Sequence, residues 1–524
     1  MKKGARWMTW NTLLYELWLF FILGTTIYAD FCEAELHRMT GRLWMALLGV
    51  MVFAPMILRR VRDWRMKPAA PGAGMSPWVF RGICFGCSLL VLGFCFLAVN
   101  PGGFDGDPQT QLVQALERNY DNFFPVFHTL VAFRLPLTLT GGWFPSIILF
   151  QILLFSLALT WACDTVRIYA GRRWAFAGLA AILANPITQS YLMYGYKDET
   201  FGICALVLVS MNARILFTRG EWLKKPARLV AFAAMLAAAC LVRHNGFLFA
   251  LPCAAGAMLC ADRKRSLALA GAALALFFAV RVPLYALLGV KNDASRASQT
   301  MGLPMSTLGG AVKYRPERLD EETLRFAYDV APREVWEEEY EWGVYNWVDW
   351  HPETNGELLA ETGLSGALKY MVRALAEAPK ESLKALIETT NIAYSVVPDH
   401  LADGAVYLAG EYLGLEDRSI PWMRRIMDGY RAAMYVAAPH MFLHSGVTIL
   451  ALLTVLLAKY PLNRKESWKR ILPVMSVLCY NLVTMLVLYS WWDGARFFHY
   501  SLWVLPVLLT VLAGGPAENG GRTE

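Results

Sequence analysis

Apolar runs of membrane-span length alternate with short basic connections along most of this chain, a pattern that predicts a bundle of transmembrane helices. With about 20 apolar residues needed per helical span, the runs fall near residues 10–29, 43–58, 78–99, 143–163, 174–191, 200–217, 229–241, 247–261, 267–288, 441–458, 471–489 and 501–512, or about twelve spans. Between residues 289 and 439 the pattern changes. No span-length apolar run occurs there, and acidic and aromatic residues gather, as in Glu337-Glu338-Glu339-Tyr340-Glu341-Trp342. Residues 365–395 read as amphipathic helical turns broken at Pro379, and period-two alternation is scarce. The predicted fold class is an all-α polytopic membrane protein with a mostly helical extramembrane domain.

The basic clusters give this bundle a direction. Lys2, Lys3 and Arg6 precede the first run, which has the charge and length of a signal anchor, cleaved or retained, and places the amino terminus in the cytoplasm. Arg59, Arg60, Arg62, Arg65 and Lys67 follow the second run. Further clusters are Arg167, Arg172 and Arg173; Arg219, Lys224, Lys225 and Arg228; Arg263, Lys264 and Arg265; and Lys459, Arg464, Lys465, Lys469 and Arg470. All land on the cytoplasmic side provided that residues 125–140 lie along the outer surface or re-enter rather than cross. The carboxyl terminus is then cytoplasmic as well, and residues 289–439 are extracytoplasmic. The expected organisation is two N-terminal helices and a basic loop (1–77), a transmembrane core (78–288) with a first outer loop at 100–142, the outer helical domain (289–439), C-terminal helices (440–514) and a cytoplasmic tail (515–524).

Composition agrees with this class. Of 524 residues, 56% are hydrophobic and 17% charged, against about 25% charged in soluble domains. The formal charge of +7 is spread over short loops and forms no stripe, so it reads as membrane orientation and not as a nucleic-acid surface. Nine of the ten cysteines lie in apolar runs and Cys32 alone falls in an outer loop, so no disulfide framework is implied. Cys84 and Cys87 lack the second ligand pair that a zinc site requires.

Five polar stations collect on the predicted outer face: the Asp105 and Asp107 loop, the stretch from Asn119 to His128, Lys197-Asp198-Glu199, Arg243-His244-Asn245-Gly246, and Asp493-Gly494-Ala495-Arg496. Each has a structural alternative. Asp107 before Pro108 has the form of a helix N-cap with proline at N1. His128 alone suits a hydrogen-bonded interfacial histidine, Lys197 and Asp198 a snorkelling pair, and Arg243 to Gly246 a tight turn. His440 and His444 have metal-pair spacing without the glutamate of the HExxH motif. Glu16 and Arg281 are the main charges within spans.

The order Pro101-Gly102-Gly103-Phe104-Asp105-Gly106-Asp107, then Pro125-Val126-Phe127-His128-Thr129-Leu130, then Tyr196-Lys197-Asp198, then Arg243-His244-Asn245-Gly246 resembles bacterial membrane glycosyltransferases of the GT-C superfamily. Distant relatives are the dolichyl-phosphate-mannose protein mannosyltransferases and the lipid A aminoarabinose transferases. The resemblance covers residues 78–285 and, weakly, 493–500. It implies sugar transfer at the outer membrane face from a polyprenyl-phosphate donor to a hydroxyl of a cell-envelope glycan, lipid or protein, with a first-loop aspartate as base. Asp107 matches that aspartate best and Asp105 is the close alternative. Many relatives have His-Pro where this chain has Phe124-Pro125.

The chemistry suits these residues. Displacing a lipid phosphate from an anomeric carbon needs a base and cations for the leaving group. Asp107 or Asp105 would be the base. Arg243, Lys197 and Arg496 would hold phosphate, with His128, Asp198, His244 and Asn245 completing the substrate site. No nucleotide fingerprint stands in a strand-to-helix context, and no cofactor is required, although the two loop aspartates offer oxygen donors for a divalent cation. The alternatives are a transporter or flippase of lipid-linked sugars, whose related halves are not seen here, and a ligase of the O-antigen type.

Overall fold

The structure, a computed structural model, describes residues 2–32, 41–68, 75–104, 106–292, 300–396, 415–438, 444–487 and 495–516. Among these the chain is helical throughout, with isolated β-bridges in place of strands. Among the described residues, five helices are long and apolar enough to cross a membrane: Pro77–Ala98, Ser146–Ala170, Lys197–Phe217, Arg263–Leu287 and Arg496–Ala513. The molecule is an all-α membrane protein.

Five is fewer than the expected count of about twelve, and local chemistry explains the shortfall. The run at 174–191 breaks at Asn185-Pro186, where the Asn185 side chain caps a new helix by accepting from the amides of Ile187 and Thr188. The run at 43–58 divides at Phe53 and Pro55 into Gly41–Val52 and Ala54–Asp63. Pro226–Val242 and Phe247–Met258, of 17 and 12 residues, are separated by the Arg243 to Gly246 turn. At 1.5 Å per residue the shorter rises only about 18 Å, against about 30 Å of hydrocarbon. Lys2–Cys32 is 31 residues long but carries Asn11 and Glu16, and Lys465–Val487, of 23 residues, opens on Lys465, Glu466, Lys469 and Arg470.

Val126–Leu139 forms a short apolar helix, π-helical over Thr129–Arg134. Its 14 positions rise about 21 Å, too little to cross a full bilayer unaided. Lys197–Phe217 is the hub of the bundle, packed against Ser146–Ala170 and Tyr500–Ala513. Gly202 permits the second contact, because a Cβ there would lie 2.5 Å from the Trp503 ring, and small residues let membrane helices approach closely. The helix Arg263–Leu287, by contrast, has few fully buried residues and packs mainly on Pro226–Val242.

A second core lies outside the bundle. Helices Gly302–Tyr314, Glu321–Val330, Arg333–Glu339, Gly356–Glu377 and Pro379–Thr390 enclose the buried rings of Trp336, Tyr340 and Tyr345. The Trp336 indole N–H donates to the Ala327 carbonyl at 2.9 Å. The expected break at Pro379 is present: one helix ends at Glu377 and the next begins at Pro379.

Candidate functional site

The first loop is pinned before it reaches its aspartates. The Gly103 amide donates to the Met193 carbonyl at 2.8 Å, and Gly103 pairs with Tyr194 in an isolated parallel bridge. The Tyr194 ring stands where a Gly103 side chain would go, 2.1 Å from a built Cβ. Gly103→Val is therefore expected to displace the loop and to lower unfolding stability by about 1–3 kcal/mol, the usual range for overpacking. Unchanged thermal unfolding of the purified variant would contradict this close-packed placement.

Beyond the pin, Gly106 takes a positive φ of 64° and occupies the N-cap of the helix Asp107–Glu117. The capping alternative for Asp107 thus falls to Gly106. Asp107 is the first helical residue, and its carboxylate faces the cations. Oδ2 accepts from the Lys197 ammonium, 90 residues distant in sequence, and lies 3.6 Å from the Arg496 guanidinium. Asp105 lies outside the described residues, as do Asp493 and His440, and nothing is described of the His444 side chain.

Each partner is itself held. Lys197 opens the hub helix, and its ammonium lies 5.0 Å from the Phe124 ring centroid. The next residue, Asp198, forms a buried ion pair with Arg243, both under 5% exposed. Arg243 Nε also donates to Asn245 Oδ1 at 2.9 Å, and Asn245 donates to Thr484 at 2.7 Å, so the turn reads as a clamp on its own arginine. The guanidiniums of Arg243 and Arg496 lie 4.7 and 4.9 Å from the Phe497 ring centroid, and Arg496 also stacks 4.8 Å from Tyr196. The structure thus brings Asp107, Lys197, Asp198, Arg243, Asn245 and Arg496 into one cluster. His244 is half-buried in the same turn.

His128 sits behind the cluster. It is fully buried, with Nδ1 2.9 Å from the Gln111 amide nitrogen and Nε2 3.1 Å from Thr200 Oγ1. Both ring nitrogens are engaged, and the ring ties the Asp107 helix to the hub helix. Sequence reasoning did not single out His499, whose Nδ1 lies 2.8 Å from the Arg496 carbonyl and whose Nε2 lies 3.6 Å from the buried Glu199. The available signal was its spacing, three residues after Arg496 on a helix that resumes at Tyr500.

Electrostatics fix the state of Asp107. Burial alone would raise its carboxyl, but Lys197 and Arg496, with Arg243 further off, hold it down at about 2. A depressed carboxyl contributes stability that is fully present above the ordinary carboxylate range and is lost as pH falls through about 2. Asp107 is therefore expected to stay ionised at pH 4 in ligand-free protein. An infrared titration differenced against Asp107→Asn reads this directly, and a protonation midpoint well above 4 would count against the pairing.

An apolar cavity of about 600 Å³ shares its wall with the apolar packing around Phe497. Trp18, Phe21 and Tyr28 of the N-terminal helix, Leu386 of Pro379–Thr390, and Leu482 and Met485 of Lys465–Val487 line it. Met485 packs in one apolar cluster with Phe497 and Phe498, the former being the ring beneath both guanidiniums.

Fold and site together define a helical membrane protein in which two carboxylates and three cations gather around a ring, Phe497, whose apolar packing also borders a cavity. Comparison of the chain with known protein families, with characterised proteins and with solved structures finds no match.

Proposed function

We propose that the chain is a membrane glycosyltransferase that moves a sugar from a polyprenyl-phosphate donor to an acceptor hydroxyl, with the site at the outer face of the cell membrane. The observation that carries this reading is the convergence of Asp107, Lys197, Arg243 and Arg496 from distant stretches of the chain beside an apolar cavity. A phosphate on a long isoprenoid chain needs both, cations for its head and an apolar wall for its tail.

The mechanism follows from the resting geometry. Arg243 and Arg496 would grip the donor phosphate, the planar guanidinium being suited to paired contacts with its oxygens. Lys197 would add a third positive charge. As these cations turn to phosphate, the pairing that keeps Asp107 weakly basic relaxes, and the carboxylate gains the basicity that it lacks in the empty site. Asp107 then removes the proton of the acceptor hydroxyl while the oxygen bonds to the anomeric carbon. The bond from that carbon to phosphate oxygen breaks, its electron pair leaving with the phosphate, where the guanidiniums stabilise the charge. Displacement from the opposite face inverts the anomeric configuration. The scheme uses no cofactor. The outer helical domain, with the Trp350 ring exposed, would supply an aromatic face suited to an acceptor sugar.

The test is reconstitution of the full chain in vesicles with a polyprenyl-phosphate sugar and a panel of acceptors. Release of polyprenyl phosphate together with a new glycosidic bond is expected. Movement of the lipid-linked sugar across the bilayer with no bond formed would transfer the assignment to a flippase.

A further inference from the structure

At the opposite end of the same helices lies a second charged cluster that the transfer reaction does not use. Asp164, fully buried, receives three arginines: Arg167 on Oδ1 at 2.6 Å, and Arg81 and Arg214 on Oδ2 at 2.9 and 3.3 Å. Arg214 also donates through Nε to Thr165 at 3.0 Å. Arg214 stands 17 positions after Lys197 on the hub helix, about 26 Å along its axis, close to the thickness of a bilayer's hydrocarbon. The two clusters therefore sit at opposite membrane boundaries.

Charge does not balance here. Three guanidiniums face one carboxylate, leaving two positive charges in excess. Asp164 has both oxygens filled, whereas each arginine offers five N–H donors, and among the described residues Arg81 and Arg167 donate to Asp164 alone. Both remain accessible, with side chains 38% and 18% exposed. They are also held in place, Arg81 lying 5.2 Å from the Trp78 ring and Arg167 5.4 Å from Phe80. An apolar wall runs away from them. Trp78, Val79 and Leu90 on one helix and Leu153 and Leu157 on the next are all exposed, and Trp78 has the placement of an interfacial anchor.

From this juxtaposition we propose that Arg81 and Arg167 form a binding site for the phosphate of an anionic phospholipid, whose acyl chains lie along the exposed wall between Pro77–Ala98 and Ser146–Ala170. The phosphate takes the unused guanidinium donors and offsets the excess charge, and Asp164 orients the two arginines toward it. This assignment is independent of the sugar-transfer reading, since none of its residues belongs to the Asp107 cluster.

The test uses the purified full chain in detergent, with phosphatidylglycerol, phosphatidylcholine of the same acyl chains, or inorganic phosphate added, read by native mass spectrometry and by thermal unfolding. Phosphatidylglycerol is expected to bind about tenfold better than phosphatidylcholine, and Arg81→Gln to remove about that factor while leaving phosphatidylcholine binding unchanged. Arg81 is the more exposed arginine, so its loss should spare folding, and Lys469→Gln serves as a control for general positive charge. Stabilisation by inorganic phosphate that Arg81→Gln abolishes would keep the phosphate site and name free phosphate as a sufficient ligand. Equal binding of the two lipids, or full phosphatidylglycerol binding by both Arg81→Gln and Arg167→Gln, overturns the proposal.

Discussion

Replacing Asp107 by asparagine is expected to lower sugar transfer by about 10² to 10⁴-fold, the usual contribution of a positioned base. The amide keeps the shape of the side chain and its place at the first helical position, but it neither takes a proton nor balances Lys197 and Arg496. Folding should survive, because the helix is capped by Gly106 and the loop is pinned through Gly103. Release of polyprenyl phosphate from a labelled donor, compared at equal amounts of folded protein, measures the effect. Asp105→Asn is the paired control. If that variant carries the loss and Asp107→Asn retains most of the activity, the base is Asp105 and Asp107 only arranges the cations.

The second large effect is on stability. Arg243 and Asp198 are both buried and paired to each other. Removing one partner strands the other charge in a medium that solvates it poorly, a loss of about 3–5 kcal/mol. Arg243→Gln and Asp198→Asn should each lower the unfolding midpoint in detergent, while the double variant should be less damaged than the sum of the two because neither charge is left alone. Additive losses, or single variants as stable as the parent, would mean that the pair is not coupled. Arg243→Gln should also weaken donor binding, whereas Asp198→Asn should act mainly through the orientation of Arg243.

These effects rest on a site that was partly legible in the chain. The stations Lys197-Asp198 and Arg243-His244-Asn245 could be picked out because they join acidic or polar residues to a cation at the ends of apolar runs whose other ends carry basic clusters. Pro379 marked a helix boundary since proline cannot continue the hydrogen-bond ladder of the preceding turn. Asp107 had two local readings, a cap and a site carboxylate; Gly106 with its positive φ takes the cap position, and the carboxylate meets Lys197. No local pattern announces a contact between residues 90 apart.

The span count failed for a related reason. Hydropathy sums over a window and does not register that Asn185-Pro186 ends one helix and caps the next, or that the helices on either side of the Arg243 to Gly246 turn are only 17 and 12 residues long. His128 could be read as a hydrogen-bonded histidine, and the fold supplies its partners, Gln111 and Thr200. His499 was hidden, because its role depends on its place beside the Arg496 carbonyl and Glu199 of another helix.

The central claim is that the cations beside Asp107 receive a lipid phosphate. The most direct test is an experimentally determined structure of the full chain with polyprenyl phosphate added. The account predicts phosphate oxygens within hydrogen-bond reach of Arg243 and Arg496, the prenyl chain in the cavity lined by Trp18 and Met485, and an Asp107 carboxylate parted from Lys197. Phosphate bound elsewhere, with the Asp107 to Lys197 pair intact, would contradict it.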